Sequence, residues 1–140
     1  MKKSLFSLVV LFASILLFTS CSDEKEQPFS IIGEWGMVSG TISDADGTTD
    51  RYEKLPSGAY YQLMEFRTDG TLIRTYMPDY IRSYGVFTFN NVTNMLSYKY
   101  DGDRFYVRAN VQIIDADEMI VTTDYGTSIG RITQYFVKID

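Results

Sequence analysis

The chain has 140 residues, with 13 lysines and arginines against 18 aspartates and glutamates, no histidine and one cysteine. This length allows one domain, and the lack of histidine removes the usual general base of serine and cysteine nucleophiles and the commonest ligand of zinc and copper. A net charge of −5 argues against nucleic-acid binding, which needs a basic surface, and an aromatic content of 15% argues against disorder.

Residues 1–20 have the pattern of a secretory signal. A short basic start precedes residues 5–18, in which two serines are the only residues that are not apolar. This run is shorter than the ~20 residues that cross a bilayer as a helix. It therefore predicts a signal peptide rather than a spanning anchor.

The residues around the only cysteine have the pattern of a second targeting signal. Phe18, Thr19 and Ser20 stand directly before Cys21, and this arrangement resembles the lipobox of bacterial lipoproteins. The resemblance implies that the signal is cut before Cys21 and that the cysteine is lipidated, so that acyl chains attach the protein to a membrane. An ordinary secretory cleavage site is the alternative, although a lone cysteine in a secreted chain then needs another explanation.

Residues 21–30 are predicted to form an acidic tether without a core of its own. The acidic run after Ser22 resembles the export signal of Bacteroidetes lipoproteins, which implies a lipid-anchored protein of the bacterial outer membrane, facing the medium. A solvated linker without an addressing role is the alternative. The sequence leaves open whether the anchor faces the periplasm or the medium.

From residue 31 to residue 140 the sequence predicts an all-β domain, because short β-branched and aromatic runs recur between Gly, Asp and Asn clusters. The clearest alternation covers residues 105–113, where apolar and polar side chains take opposite faces of a strand. Eight strands are predicted in all, over residues 35–42, 60–67, 71–77, 83–90, 95–100, 104–114, 119–124 and 131–139.

Most of the predicted connections are tight turns rich in Asp, Asn and Gly, which indicates antiparallel neighbours. Eight such strands predict an up-and-down barrel, with a two-sheet sandwich as the alternative. The connection over residues 43–59 is long enough to suggest a functional or mobile loop, and we expect it to act as a lid.

Three stretches together resemble the lipocalin-like domain of small Bacteroidetes lipoproteins: Gly33-Glu34-Trp35, residues 64–71 and residues 85–87. The resemblance covers residues 32–140 and implies an eight-stranded barrel of a type that often holds a small apolar ligand. In lipocalins a tryptophan closes one end of the barrel with a late arginine packed on it. Trp35 matches that tryptophan, and Arg131 is the candidate partner.

Alternation also predicts which side chains face the barrel interior, where they either fill the centre or line a pocket. The third strand leaves two choices open: one set that could face inward is Ile73, Thr75 and Met77, and the other is Leu72, Arg74 and Tyr76. In the second case Arg74 is an inward cation that can pair with a ligand carboxylate. The candidate ligand-lining residues are Tyr60, Met64, Phe66, Phe87, Tyr98, Phe105 and Val107, with Arg74 as the candidate polar group.

The sequence favours a binding protein over an enzyme. No catalytic residue, metal ligand or cofactor is predicted, since the acidic residues fall mainly in turns and none has the EF-hand order. The first hypothesis is a membrane-anchored barrel that binds a small apolar or amphipathic molecule. The second is an accessory lipoprotein with a solid core whose loops contact an envelope protein or a glycan, with exposed tyrosines supplying contact area.

Overall fold

The computed structural model describes residues 28–140, and the predicted signal peptide and Cys21 lie outside them. The described part of the chain is built from β-strands joined by turns and loops, and it contains no helix that is long and apolar enough to cross a membrane. Its nine strands are β1 Gly33–Asp44, β2 Gly47–Tyr52, β3 Gln62–Phe66, β4 Thr71–Tyr76, β5 Ile81–Asn90, β6 Met95–Tyr100, β7 Val107–Ile113, β8 Glu118–Asp124 and β9 Arg131–Ile139.

Within residues 28–140 eight strands form a closed antiparallel barrel with up-and-down order. β1 and β3 to β9 follow one another around the ring, and the pairing of β9 with β1 closes it. β2 lies outside this ring and pairs with β1 alone. The predicted eight-stranded meander barrel is confirmed, and the sandwich alternative is excluded.

The extra strand β2 lies in the segment that the sequence predicts to be a long loop, so the lid prediction for residues 43–59 is wrong for its first half. Asp44 closes the β1–β2 hairpin, because its carboxylate accepts the amide N–H of Asp46 at 2.9 Å. Gly47 follows with a φ of 129° that favours glycine. Both faces of β2 are polar, and for that reason alternation did not reveal a strand that backbone pairing holds.

Strand β1 changes partners along its length. Its first half, from Gly33 to Met37, pairs with β3, and after an irregularity at Met37/Ser39 its second half pairs with β2. The segment over residues 53–61 bridges the gap that this leaves beside β3. The amide N–H of Leu55 donates to the carbonyl of Val38, and that of Tyr61 donates to Met37, each at 2.9 Å.

The two ends of the barrel differ. At one end, which we call the closed end, Trp35 is fully buried and its indole N–H donates to the carbonyl of Ile31 at 2.8 Å. The ring of Phe29 covers Trp35 with its centroid 5.8 Å away. At the opposite end, the open end, lie the turns over residues 44–47, 77–80, 101–106 and 125–130.

Strand β7 begins three residues later than predicted, and this changes the position of Phe105. The turn after β6 is held by Asp103, whose carboxylate accepts the amide N–H of Tyr100 at 3.3 Å, and the chain re-enters the sheet only at Val107. Phe105 is therefore 81% exposed at the open end. The prediction that Phe105 lines the interior is wrong, while Val107 is half-buried inside β7.

Candidate functional site

The interior of the closed half is packed with apolar side chains. Met64, Phe66 and Phe87 belong to one buried cluster with Trp35. The rings of Phe66 and Phe87 meet edge to face with their centroids 4.9 Å apart, which is a favourable aromatic geometry. Three of the predicted lining residues are thus brought together as core toward the closed end.

Tyr60 lies outside the barrel, contrary to its prediction as a lining residue. Trp35 and Met37 point into the barrel, so Gly36 between them faces outward. A side chain on Gly36 would collide with the ring of Tyr60, because that ring covers the glycine. Tyr60 precedes β3 in the bridging segment, where alternation with the strand does not determine the direction of its side chain.

Strand β4 directs Arg74 into the barrel, which settles the choice that the sequence left open. Leu72 is fully buried in the central cluster, and Arg74 lies two residues further along the same face. Register places Arg74 between Met64 of β3 and Ser83 of β5. On β4 the inward cation therefore lies nearer the open end than the buried Leu72.

Two tyrosine rings hold the guanidinium group of Arg74. Its Cζ atom lies 3.9 Å from the ring centroid of Tyr100 and 4.5 Å from that of Tyr76. Such cation–π contacts attract the charge without using the N–H donors. The donors of Arg74 thus remain free to bind an acceptor.

The packed side chains of Arg74 and Tyr100 each have a buried polar atom without a hydrogen-bond partner among the described residues: Nε of Arg74 and the hydroxyl oxygen of Tyr100. The ion pairs in residues 28–140 are Arg67 with Glu65 and Arg131 with Asp124, so no described carboxylate forms an ion pair with Arg74. Buried polar groups are rarely left unpaired in folded proteins. An unpaired cation next to an unpaired hydroxyl is an arrangement that an anion would complete.

Burial keeps the hydroxyls of Tyr98 and Tyr100 neutral at physiological pH. Burial raises the pKa of Tyr100 to about 12, although the charge of Arg74 opposes that shift. Burial also raises the pKa of Tyr98, and Tyr125 adds to the effect through its charge interaction and a side-chain hydrogen bond. The rings of Tyr98 and Tyr100 meet with centroids 5.6 Å apart. We call Arg74, Tyr76, Tyr98, Tyr100 and Tyr125 the arginine–tyrosine cluster.

The cation beside Trp35 is Lys138 and not Arg131. Lys138 lies opposite Trp35 in the β1–β9 register, with its Nζ atom 5.3 Å from the ring centroid, and it donates to the carbonyl of Ser30 at 3.3 Å. Arg131 lies at the other end of β9 and pairs with Asp124 at 3.6 Å on the surface. The prediction for Arg131 is wrong because β9 runs from the open end to the closed end.

The sequence placed Tyr76 on the same face as Arg74, but it did not bring the tyrosines together around Arg74 as one cluster. Tyr76, Tyr100 and Tyr125 come from three different strands or loops, and only the ring closure brings them together. The alternation Arg74-x-Tyr76 and Tyr98-x-Tyr100 was the available signal. Among residues 28–140 no group of three or more Cys, Asp or Glu side chains is placed to hold a metal ion.

No protein-family model matches the sequence, and a search of curated proteins finds no match.

Proposed function

We propose that this chain is a membrane-anchored lipoprotein whose lipocalin-like barrel binds a small apolar or amphipathic molecule non-covalently at its open end. The observation that carries the proposal is the pair of unpartnered buried atoms on Arg74 and Tyr100. A barrel stabilised for packing alone would gain from an apolar residue at such a position, since an unpaired buried polar group costs about 1–3 kcal/mol. A ligand that supplies the missing acceptor recovers that cost.

The proposed anchor is the acyl group on Cys21, which would hold the protein at the bacterial outer membrane. The lipobox-like sequence supports it. The first described residues pack at the closed end, where Phe29 covers Trp35. A tether that leaves from this end would direct the arginine–tyrosine cluster away from the bilayer.

We propose no catalytic role and no nucleic-acid partner. The chain lacks histidine and carries a net charge of −5. The interior group with unused bonding capacity is a guanidinium, which offers hydrogen-bond donors and no acceptor. Arg74 can bind and orient a ligand, and this suits a carrier or a receptor.

Two measurements test the proposal. Native mass spectrometry of the chain after incubation with an extract of its source cells should show a discrete added mass that is lost on denaturation. A bare protein mass in repeated extracts would contradict ligand binding. Separately, Cys21→Ser should release the chain from membranes into the soluble fraction, and a variant that stays fully membrane-bound would contradict the anchor.

A second candidate function is supported by the exposed aromatic side chains beside the open end. Tyr80, Phe105 and Tyr106 are each more than half exposed, and aromatic residues are enriched at protein interfaces. The alternative is an accessory lipoprotein that contacts an envelope protein or a glycan through these loops. Substituting Tyr80 and Tyr106 by Ser would abolish such a contact and leave the added mass of a bound ligand unchanged.

A further inference from the structure

We infer that the ligand is an organic carboxylate that enters head first, with its carboxylate bound by Arg74 and Tyr100 inside the barrel and its apolar body at the rim. This inference rests on the proposed function and names its ligand class and orientation. It follows from the charge of the interior, from the packing below Arg74 and from the side chains above it.

The charge of the interior selects an anion. Arg74 is the one cation that register and burial place inside the open half of the described barrel, and no described carboxylate pairs with it. A planar guanidinium matches a carboxylate in shape and can bind it through two parallel hydrogen bonds. The hydroxyl of Tyr100 offers a further donor. One fixed positive charge with neutral phenol donors suits a monoanion better than a doubly charged phosphate.

The packing below Arg74 sets the orientation. Met64 lies opposite Arg74 on one side and opposite Trp35 on the other, so these three residues form one row across β4, β3 and β1. Phe66 and Leu72 lie opposite each other two residues nearer the closed end, Phe87 packs on Phe66, and each of the three is at most 9% exposed. An apolar body therefore has no place beneath the guanidinium, which makes the interior a site for the head group.

The side chains above Arg74 suit the other part of the ligand. Tyr76 and Ile81 lie opposite each other at the ends of β4 and β5 and are 39% and 60% exposed. Tyr125 and Phe105, on neighbouring open-end loops, are also exposed. An exposed rim of aromatic and aliphatic side chains around an inward cation is the reverse of an ordinary soluble surface. It matches an amphipathic molecule whose anionic end points inward.

The test compares three eight-carbon probes by isothermal titration calorimetry: octanoate, octan-1-ol and octyl phosphate. The full chain carries Cys21→Ser in every case, so that no detergent is needed to keep an acylated protein in solution. We expect octanoate to bind about 10- to 100-fold more tightly than octan-1-ol, the range for hydrogen bonds to a charged group. Arg74→Met should remove that preference, and Arg74→Lys should restore part of it.

Arg82→Met is the matched control, since Arg82 is exposed on the neighbouring strand and faces outward. It should leave the affinity for octanoate unchanged. Tyr100→Phe keeps the ring against Arg74 and removes only the unpartnered hydroxyl. This variant should fold at least as stably as the parent and still bind octanoate more weakly, so the test holds even if Arg74→Met fails to fold.

The outcomes separate this inference from the proposed function. Equal affinity for octanoate and octan-1-ol, unchanged by Arg74→Met, would overturn the carboxylate site and leave an apolar ligand in place. Tighter binding of octyl phosphate than of octanoate would overturn the ligand class. Binding of none of the probes below about 1 mM would also overturn the inference. The proposed function is contradicted only when the native mass stays bare as well.

Discussion

Two phenylalanines that the sequence predicts alike are placed in opposite environments. Phe66 is 1% exposed and packs edge to face on Phe87 at 4.9 Å, whereas Phe105 is 81% exposed on the loop before β7. Substituting each by Ala removes the same atoms from the chain. The difference in the free energy of unfolding therefore reports only on the surroundings.

The magnitude follows from burial. Phe66→Ala removes a fully buried ring and leaves a cavity between β3 and β5, and substitutions of this kind cost about 3–5 kcal/mol. Lost aromatic geometry with Phe87 is part of that sum. Phe105→Ala should change stability by less than about 0.5 kcal/mol, as expected of an exposed position.

Equilibrium unfolding in urea, followed by far-ultraviolet circular dichroism, measures both values. The two variants should share the slope of the parent chain and differ in midpoint, because the same surface is exposed on unfolding. If the free energy of unfolding fell by more than about 2 kcal/mol in both variants, Phe105 would have to lie inside the barrel. That result would refute the late start of β7.

Three further predictions concern Lys138 beside Trp35, Gly36 under the ring of Tyr60, and Tyr100. Lys138→Met should lower the free energy of unfolding by about 0.5–1 kcal/mol through its contact with Trp35, measured by urea unfolding, while Arg131→Met should change nothing. Gly36→Ala should cost about 1–3 kcal/mol in the same assay, because the new methyl group meets the tyrosine ring that covers it; an unchanged midpoint would contradict that packing. Burial raises the pKa of Tyr100 to about 12, above the ~10 of an unfolded tyrosine. The folded state therefore keeps the Tyr100 proton to a higher pH than the unfolded chain does, so the free energy of unfolding should fall as pH rises from about 10 to about 12. In urea unfolding over that pH range, Tyr100→Phe should show a smaller fall.

The strands of the barrel and their order could be predicted from the sequence, because turn residues and the alternation of apolar and polar residues are local signals. In β7 and β8 the buried positions alternate as predicted, with Ala109 and Val111 facing Thr123 and Val121. Short Asp-Gly and Asn-rich turns left adjacent antiparallel pairing as the simplest arrangement. In these strands the alternating sequence pattern agrees with the structure because each strand has one face in the core and one face in solvent.

The parts that the sequence did not determine depend on distant contacts. β2 is polar on both faces, and its pairing with the second half of β1 becomes available only because β1 separates from β3 after Met37. In β4 the pattern of Leu72, Ile73 and Arg74 fits either orientation, since neighbouring residues of both sets are buried. The ring closure decided which set faced inward.

The partner of Trp35 shows the same limit. Both Arg131 and Lys138 lie on the last strand, and the direction in which β9 crosses β1 decides between them. That direction places Lys138 opposite Trp35 and carries Arg131 to the open end, beside Asp124. A charge on the correct strand was predictable, but its position along the barrel was not.

NMR chemical-shift changes of the backbone amides in the Cys21→Ser chain, recorded with octanoate, test the proposed carboxylate site most directly. The changes should concentrate around Arg74, Tyr76, Tyr100 and Tyr125, and the amides near Trp35 and Phe29 should stay unchanged. Shifts centred on the closed end, or spread over the outer face of the barrel without Arg74, would contradict a head-first carboxylate site.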